Sequence, residues 1–431
     1  MRHRIATGTE DPFYVVNLGS VQDKVDLWNA LLPEVTPFYA VKCNPDTTML
    51  SLLARNGVNF DCASRAEMEA VFDLGVDASR ILYANPCKQP SHLRFAAEQG
   101  VGWTVFDSEE ELLKTARLHP SSELLLRILV DDSHAQCMMS NKYGAPLEQA
   151  PWLLQRAAEL GLRVRGVSFH VGSGCYSPQA FAEAVGRAAH VHSLASNAGA
   201  PMDTLDIGGG FPGLDSDEIS FAGIAAALGP ALQEHFPVQR GVRVIAEPGR
   251  FLAAASHTLA VNIIGRKRVL GEHGKESYMY YVNDGLYGSF NNVLYDHATP
   301  AMEVLGADAA SCRYETDEPG DLNGRADAHT SPTLFRSSVW GPTCDGFDCI
   351  TKEVMLPELH VGGWMYARDM GAYTASAGSN FNGMPLPSKS YMQPLSPQRP
   401  KDVAAAALPV RTSVDFDTRE QQTVASIAAA A

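Results

Sequence analysis

The sequence predicts a parallel (β/α)8 TIM-type barrel followed by a smaller, mostly-β domain. Three observations carry this. Eight short apolar or β-rich runs recur through roughly the first 250 residues, stretches of helical character lie between them, and the rhythm breaks after about Phe251. Strands alternating with helices pair in parallel through right-handed crossovers, and eight such units close a barrel. An open, doubly wound sheet is the alternative arrangement of the same alternation.

The runs, in order, are Thr36–Lys42, Asn59–Ser64, Ile81–Asn85, Trp103–Ser108, Leu124–Val130, Val164–Val171, Thr204–Gly208 and Arg243–Glu247. Ser64–Leu74 and Trp152–Gly161 are among the helical stretches between them. A barrel of this kind gathers its functional residues at the C-terminal ends of the strands. Lys42, Asp61, Asn85, Asp107, Arg127, His170, Gly208–Gly210 and Glu247 with Arg250 all fall there. A strand also turns polar wherever it ends, so the signal is the set rather than any member. Beyond Phe251 the segments Ala254–Leu270 and Tyr278–Val282 are β-rich, and helical periodicity is scarce until Gly371. Asp317–Thr330 is polar and rich in Gly and Asp, which reads as an exposed loop. The barrel is thus placed at 18–252 and the β-rich domain at 253–392, with 1–17 joining the latter. The tail 393–431, rich in Pro, Ala, Ser and charge, reads as disordered.

With 431 residues, 45% hydrophobic and 19% charged, the chain is long enough for two sizeable cores. The net charge of -15 argues against nucleic acid or an anionic membrane as partner and suits a cationic small molecule. Met1–Asp11 lacks the apolar core of a secretory signal, and no apolar run is long enough to span a membrane. The cysteines (Cys43, Cys62, Cys87, Cys137, Cys175, Cys312, Cys344 and Cys349) form no CxxC pair and match no zinc-type histidine spacing. They read as reduced thiols of a cytoplasmic protein, and no metal site is expected.

Lys42 follows an apolar strand in Ala40-Val41-Lys42-Cys43-Asn44. Partial desolvation there is expected to lower its pKa and favour a Schiff base with a carbonyl ligand; a solvated strand-end lysine is the plain alternative. Gly208-Gly209-Gly210-Phe211-Pro212-Gly213 is formally GxGxxG, but Pro212, Asp215, Asp217 and Glu218 stand where a dinucleotide fold begins its helix. The run suits either one phosphate on bare backbone N–H groups or a tight turn. Glu247 and Arg250, in Glu-Pro-Gly-Arg, would either pair with each other or grip two ends of one ligand. His170 is a lone histidine in an apolar run, and Cys344 lies in a turn, Gly341-Pro342-Thr343-Cys344-Asp345-Gly346.

Taken together these segments resemble the eukaryotic-type ornithine decarboxylases of the fold-type III pyridoxal-phosphate (PLP) decarboxylase family. The matching motifs run from about Pro37 to Gly383: Tyr-Ala-Val-Lys-Cys-Asn at 39–44, Phe-Asp-Cys-Ala-Ser at 60–64, Tyr-Ala-Asn-Pro-Cys-Lys at 83–88 and Ser-Phe-His-Val-Gly-Ser-Gly at 168–174. They continue with Asp-Ile-Gly-Gly-Gly-Phe at 206–211, Glu-Pro-Gly-Arg at 247–250, Val-Asn-Asp-Gly-Leu-Tyr-Gly-Ser-Phe at 282–290, Tyr-Asp-His at 295–297, Gly-Pro-Thr-Cys-Asp-Gly-Phe-Asp at 341–348 and Gly-Ala-Tyr at 371–373.

The resemblance implies a role for each matched residue. Lys42 would bond to PLP, His170 would stack on its ring and Glu247 would face the ring nitrogen. Ser173, the Gly209–Gly210 backbone, Arg250 and Tyr373 would hold the phosphate, with Asp61 and Arg127 flanking the cofactor. Tyr295, Asp296, Asp345 and Phe381 would line the substrate pocket, the two carboxylates receiving the distal amine. Cys344 would protonate the carbanion carbon from the neighbouring subunit of a head-to-tail homodimer bridged by Lys142 and Asp348. An antizyme-type regulator is a further partner the resemblance raises. The chain departs from the family at Asn141-Lys142-Tyr143-Gly144, where Val-Lys-Phe-Gly is usual, and at Ala-Thr-Pro-Ala after Tyr-Asp-His. Its tail is unlike the degradation-prone vertebrate one. The rival expectations are a relative acting on lysine, arginine or diaminopimelate, and a non-catalytic homologue of the antizyme-inhibitor kind.

Overall fold

The computed structural model describes residues 1–270, 275–305 and 333–392. Eight parallel strands close a barrel: Val35–Ala40, Asn59–Cys62, Ile81–Tyr83, Trp103–Phe106, Glu123–Arg127, Arg163–Ser168, Thr204–Asp206 and Arg243–Ala246. The last pairs back on the first, with Ile245 opposite Thr36, so the open-sheet alternative does not apply. Each predicted run overlaps its strand but reads one to three residues too far at the C-terminal end. The reason is packing. Val41, Phe169, Val171 and Ile207 lie past the ladder yet are fully buried, so the apolar pattern continues after the strand pairing has stopped.

Local chemistry sets the helices between the strands. The Asp46 carboxylate accepts from the Met49 N–H and caps Thr47–Arg55, and Ser64 does the same for Arg65–Phe72 through the Glu67 N–H. Pro90 and Pro178 open their helices where no N–H partner is needed. Leu18–Leu31, which precedes the first strand, is anchored by Trp28. That ring packs among Phe211, Phe221 and Phe251, and its N–H donates to the Val35 carbonyl at 2.8 Å.

Phe38, Leu82, Val105, Leu125 and Ile245 fill the barrel interior. At its lower end Trp103 stacks on Phe38 with ring centroids 6.0 Å apart, and the Arg165 and Arg243 guanidinium groups lie 4.2 and 5.1 Å from the Trp103 ring. Arg163 and Arg165 both pair with Glu123 and Asp203 there. A plugged lower end leaves the upper rim, where the strands finish, for chemistry.

Apart from the short antiparallel pair Ala135–Cys137 and Ser173–Cys175, the strands outside the barrel form, among the described residues, one sheet built on His257–Leu270. Its first half pairs with Phe13–Val16 on one side and Trp364–Ala367 on the other, and its second half pairs with Glu276–Val282 past an irregularity at Ile263/Gly265. Leu334–Trp340 and Cys349–Pro357 extend that side, while Ser388–Met392 runs parallel to Phe13–Asn17. Tyr14, Val16, Val261, Ile263, Tyr280, Val339 and Met365 are in its core. The predicted strand from Ala254 starts only at His257, because Arg250–Ser256 is wound into helical turns. The helical elements beyond Gly371 among the described residues are single turns, Ala375–Ala377 and Phe381–Gly383. The loop expected at Asp317–Thr330 and the tail expected from 393 lie outside the described residues. No helix among the described residues is long and apolar enough to cross a membrane.

Burial leaves one measurable acid sensitivity on the outer wall of the barrel. His192 is buried against Phe236, bonds the Thr204 carbonyl at 3.1 Å, and has its pKa pulled by desolvation from 6.5 down to about 4. A histidine with a depressed folded pKa supplies stability above its unfolded pKa and loses it as pH falls toward the folded one. The free-energy difference between wild type and His192→Gln is therefore expected to shift by about 2 kcal/mol against wild type between pH 7.5 and 5. Urea unfolding at the two pH values measures it, and a pH-independent difference would contradict the assignment.

Candidate active site

Lys42 sits in the turn Val41–Cys43, directly after the first barrel strand. Its ammonium donates to Asp61 Oδ2 at 2.5 Å, and Asp61, on the second strand, is closed to solvent while 39% of the lysine side chain stays open. The expected direction of the pKa shift is overturned here. Burial does pull the amine down, but Asp61 and Glu247, brought beside it by barrel closure, outweigh that and hold it above the ordinary lysine range.

Behind the lysine lies a buried acid pair. Glu247 follows the eighth strand and Asp206 ends the seventh. Asp206 accepts from Ser168 Oγ and from the Gly208 N–H, both at 2.9 Å. Burial raises both acids, Asp206 to about 6 and Glu247, which also faces the Asp206 and Asp61 carboxylates, well above the carboxylate range. His170 is driven well below its ordinary pKa, by burial first and then by Arg127 and Lys42. It is a neutral imidazole whose Nδ1 accepts from the Gly172 N–H at 3.0 Å, which leaves the proton on Nε2. The glycines are obligatory at this point. Gly208 and Gly210 have φ of +62° and +111°, and a Cβ on Gly209 would stand 2.8 Å from His170 Nε2.

Arg250 and Glu247 do not pair with each other. Both ends of the Arg250 guanidinium bind Asp296, at 2.6 and 2.5 Å, and Nη2 also donates to Ser173 Oγ at 2.8 Å. Asp296, expected to be free for an amine, is thus tied to the residue expected to hold a phosphate. Tyr373 lies beneath the guanidinium, 5.1 Å from ring centroid to Cζ. Its backbone takes a left-handed φ of +52°, held by the bond from its N–H to the Cys43 carbonyl at 3.0 Å. Gln136 and Cys137, which sequence reasoning did not select, approach Asp296 from the short strand Ala135–Cys137: the Gln136 amide donates to the Asp296 carbonyl, and Cys137 Sγ is 3.5 Å from its Oδ1. Arg127 ends the fifth strand and covers the Tyr143 ring at 5.2 Å.

Other motif residues turn out to brace the scaffold. Asn85 accepts from the Cys87 N–H, and Asp107 accepts from the Gly144 N–H. Lys88 is buried, donates to the Val105 carbonyl at 2.5 Å and pairs with Glu111 at 3.0 Å.

A second group stands apart on the exposed side of the sheet domain. Tyr287 donates to Asp345 and stacks on Phe381 at 4.4 Å, and the Cys344 N–H donates to Asn382 Oδ1 at 3.3 Å. The Tyr287 hydrogen bond holds the Asp345 carboxyl below its usual range. Among the described residues, no hydrogen bond or ion pair joins this group to Lys42 or Arg250 of the same chain. Asp348 is buried and accepts from the Leu286 and Thr343 N–H groups and the Thr343 hydroxyl, so it organises its own loop. Lys142 is exposed beside Tyr143.

The barrel rim fits PLP on its own terms. Among the described residues, Asp61 Oδ1 and Arg250 Nε are buried without a hydrogen-bond partner, the Gly208–Gly210 cradle admits no side chain, and Glu247 stands ready to share a proton with a ring nitrogen. A family model described as pyridoxal-dependent decarboxylase, pyridoxal binding domain, matches residues 18–254. Ornithine decarboxylase of Mus musculus is 48% identical over 392 residues, covering 89% of this chain and 81% of its own. Antizyme inhibitor 2 of Xenopus laevis is 45% identical over 397 residues, covering 90% and 82%. Among solved structures, the arginine decarboxylase of Paramecium bursaria Chlorella virus superposes with a TM-score of 0.81 at 35% identity, over 90% of this chain and 98% of that one. By these matches and this geometry, the chain belongs to the pyridoxal-dependent decarboxylases.

Proposed function

We propose that this protein decarboxylates L-ornithine to putrescine and CO2, as a cytoplasmic homodimer with shared active sites. The observation that carries the reading is Lys42 held against Asp61 at the barrel rim, with the Glu247–Asp206 acid pair beside it. Buried carboxylates are costly to a fold, and a purely structural protein has no use for three of them around one lysine.

When bound, PLP supplies an electron sink for the charge left at Cα as CO2 departs. Lys42 attaches the cofactor. Ser173, Arg250, Tyr373 and the Gly209–Gly210 backbone hold its phosphate. Glu247 keeps a proton at the ring nitrogen, which the neighbouring acid favours. His170, being neutral, lies against the ring without adding charge. Asp296 and Asp345 take the distal ammonium, and Tyr287 keeps Asp345 an anion for that purpose. Cys344 delivers the proton to Cα.

Cys344 and Asp345 do not join Lys42 within one chain, and this supports their arriving from a second copy. Large side chains stand exposed nearby. Tyr295 is 70% exposed, Phe347 60% and Phe381 41%, which suits burial in a dimer. In that dimer Lys142 would reach the loop that Asp348 organises. An antizyme-type regulator belongs to the same proposal, by similarity to the family alone. The described cysteines are all free thiols, as a reducing compartment would keep them.

Asp296 and Asp345 together disfavour diaminopimelate, whose distal carboxylate they would repel. Lysine differs from ornithine by one methylene, worth about 1–3 kcal/mol in a fitted pocket. The test is a side-by-side turnover assay with ornithine, lysine, arginine and diaminopimelate on protein whose visible absorbance is recorded. Yellow protein with ornithine preferred at least about tenfold is expected. Colourless protein that takes up no PLP would replace the reading with a non-catalytic one, and faster lysine or arginine turnover would replace the substrate.

A further inference from the structure

We infer that Gln136 is a positioning residue that sets the length of the substrate pocket by fixing the main chain at Asp296. The inference rests on the reading that Asp296 receives the distal ammonium, and it adds what holds Asp296 at one reach.

The strand Ala135–Cys137 pairs antiparallel with Ser173–Cys175, with Ala135 opposite Cys175 and Cys137 opposite Ser173. Ser173 in turn accepts from Arg250. This ribbon is therefore fastened to the phosphate-binding side of the rim. From it, the Gln136 side chain reaches across 160 residues of sequence to donate its amide N–H to the Asp296 carbonyl. It is the only side-chain donor to that carbonyl among the described residues. Room for it is made on the partner strand: a Cβ at Gly174 would stand 3.1 Å from Gln136 Oε1 and 3.2 Å from its Cβ.

The corner it grips needs holding. Asp296 closes the short helix Asn292–Tyr295, and the next residue, His297, has a left-handed φ of +51°. A non-glycine residue keeps that conformation only when its surroundings impose it. The Asp296 side chain is fixed by Arg250 at one end of the residue, and Gln136 fixes the carbonyl at the other. With both ties made, the carboxylate has one position relative to Lys42. With the carbonyl released, the corner pivots on the Arg250 pair and the pocket no longer has a single length. Discrimination of one methylene depends on that length.

The test compares Gln136→Met, which keeps the bulk but has no donor, with Gln136→Glu, which keeps the shape but sets an acceptor against a carbonyl. Both are read by kcat and KM for ornithine and lysine and by PLP affinity from absorbance titration. For Gln136→Met the ornithine KM is expected to rise and the ornithine-to-lysine ratio of kcat/KM to fall about tenfold, with PLP affinity unchanged. For Gln136→Glu the ratio falls further, and it recovers as pH is lowered and the introduced carboxyl regains a proton to donate. Equal losses on both substrates, a parallel loss of PLP affinity, or an unmoved ratio would each overturn the inference. Asp296→Asn separates this from the parent reading. If that variant leaves ornithine KM untouched, the role of Asp296 fails. If it raises ornithine KM while the Gln136 variants leave the ratio alone, only the role of Gln136 fails.

Discussion

Lys42→Ala is expected to abolish the visible absorbance of lysine-bound PLP and to lower kcat for ornithine by about a thousandfold or more. The size follows from what the residue does. Its nitrogen is the amine proposed to bond the cofactor carbonyl, and neighbours on three other strands are arranged around it. Collapse of the site is a competing explanation, because the substitution strands the Asp61 carboxylate in a place closed to solvent. Lys42→Arg removes that ambiguity. It keeps a cation against Asp61 and so the local packing, yet it offers no amine, and it too is expected to be colourless and inactive. Full turnover with retained absorbance in either variant would refute the assignment of Lys42. The raised pKa adds a kinetic signature. Cofactor-free wild-type protein holds Lys42 as an ammonium, so attachment of PLP should quicken with rising pH, where a lysine of lowered pKa would show no such dependence near neutrality.

That reversal of sign illustrates what could be read from the sequence and what could not. The eight strands were legible because each is a local apolar run with a turn after it, and local pattern is what a chain displays. Lys42, His170, Glu247 and Arg250 were legible as strand-end residues for the same reason. The electrostatics were not. Lys42 looks like a partly desolvated amine beside Val41 and Cys43, and only barrel closure sets Asp61 and Glu247 next to it. The Arg250–Asp296 pair spans 46 residues and two domains of the sequence reading, so the sequence offered Arg250 either Glu247, three residues away, or one end of a ligand, and gave no sign of Asp296. Asp206 lay in a quoted motif, yet its role as the acid coupled to Glu247 appears only when the seventh and eighth strands are side by side. Gln136 carried no signal of its own. It is a polar residue on a polar segment, and its use depends on a contact with a distant carbonyl. Its one legible hint was the glycine at 174 in the Ser-Phe-His-Val-Gly-Ser-Gly motif, whose missing side chain makes the space.

Cys344→Ala is expected to cut diamine formation by about 10²–10⁴-fold, the ordinary worth of a positioned acid, while CO2 release falls less. The two diverge because loss of CO2 does not need the thiol, whereas the proton that follows does. Without the Cys344 thiol no positioned acid would direct that proton to Cα, so product would be diverted from the diamine and activity would be lost with turnover. Product analysis reads this directly, as aldehyde appearing in place of putrescine and turnover that decays with time; an unchanged product ratio would remove Cys344 from the reaction. The same variant also tests where the thiol comes from. Cys344 lies with Asp345, Tyr287 and Phe381 on an exposed surface that, among the described residues, makes no bond to its own Lys42. If each site takes Lys42 from one chain and Cys344 from the other, mixing inactive Lys42→Ala with Cys344→Ala protein restores activity. Random exchange makes half of the dimers mixed, and each mixed dimer has one site carrying both substitutions and one carrying neither, so about a quarter of wild-type turnover returns. If both residues of a site came from one chain, every site in the mixture would lack one of them and no activity would return.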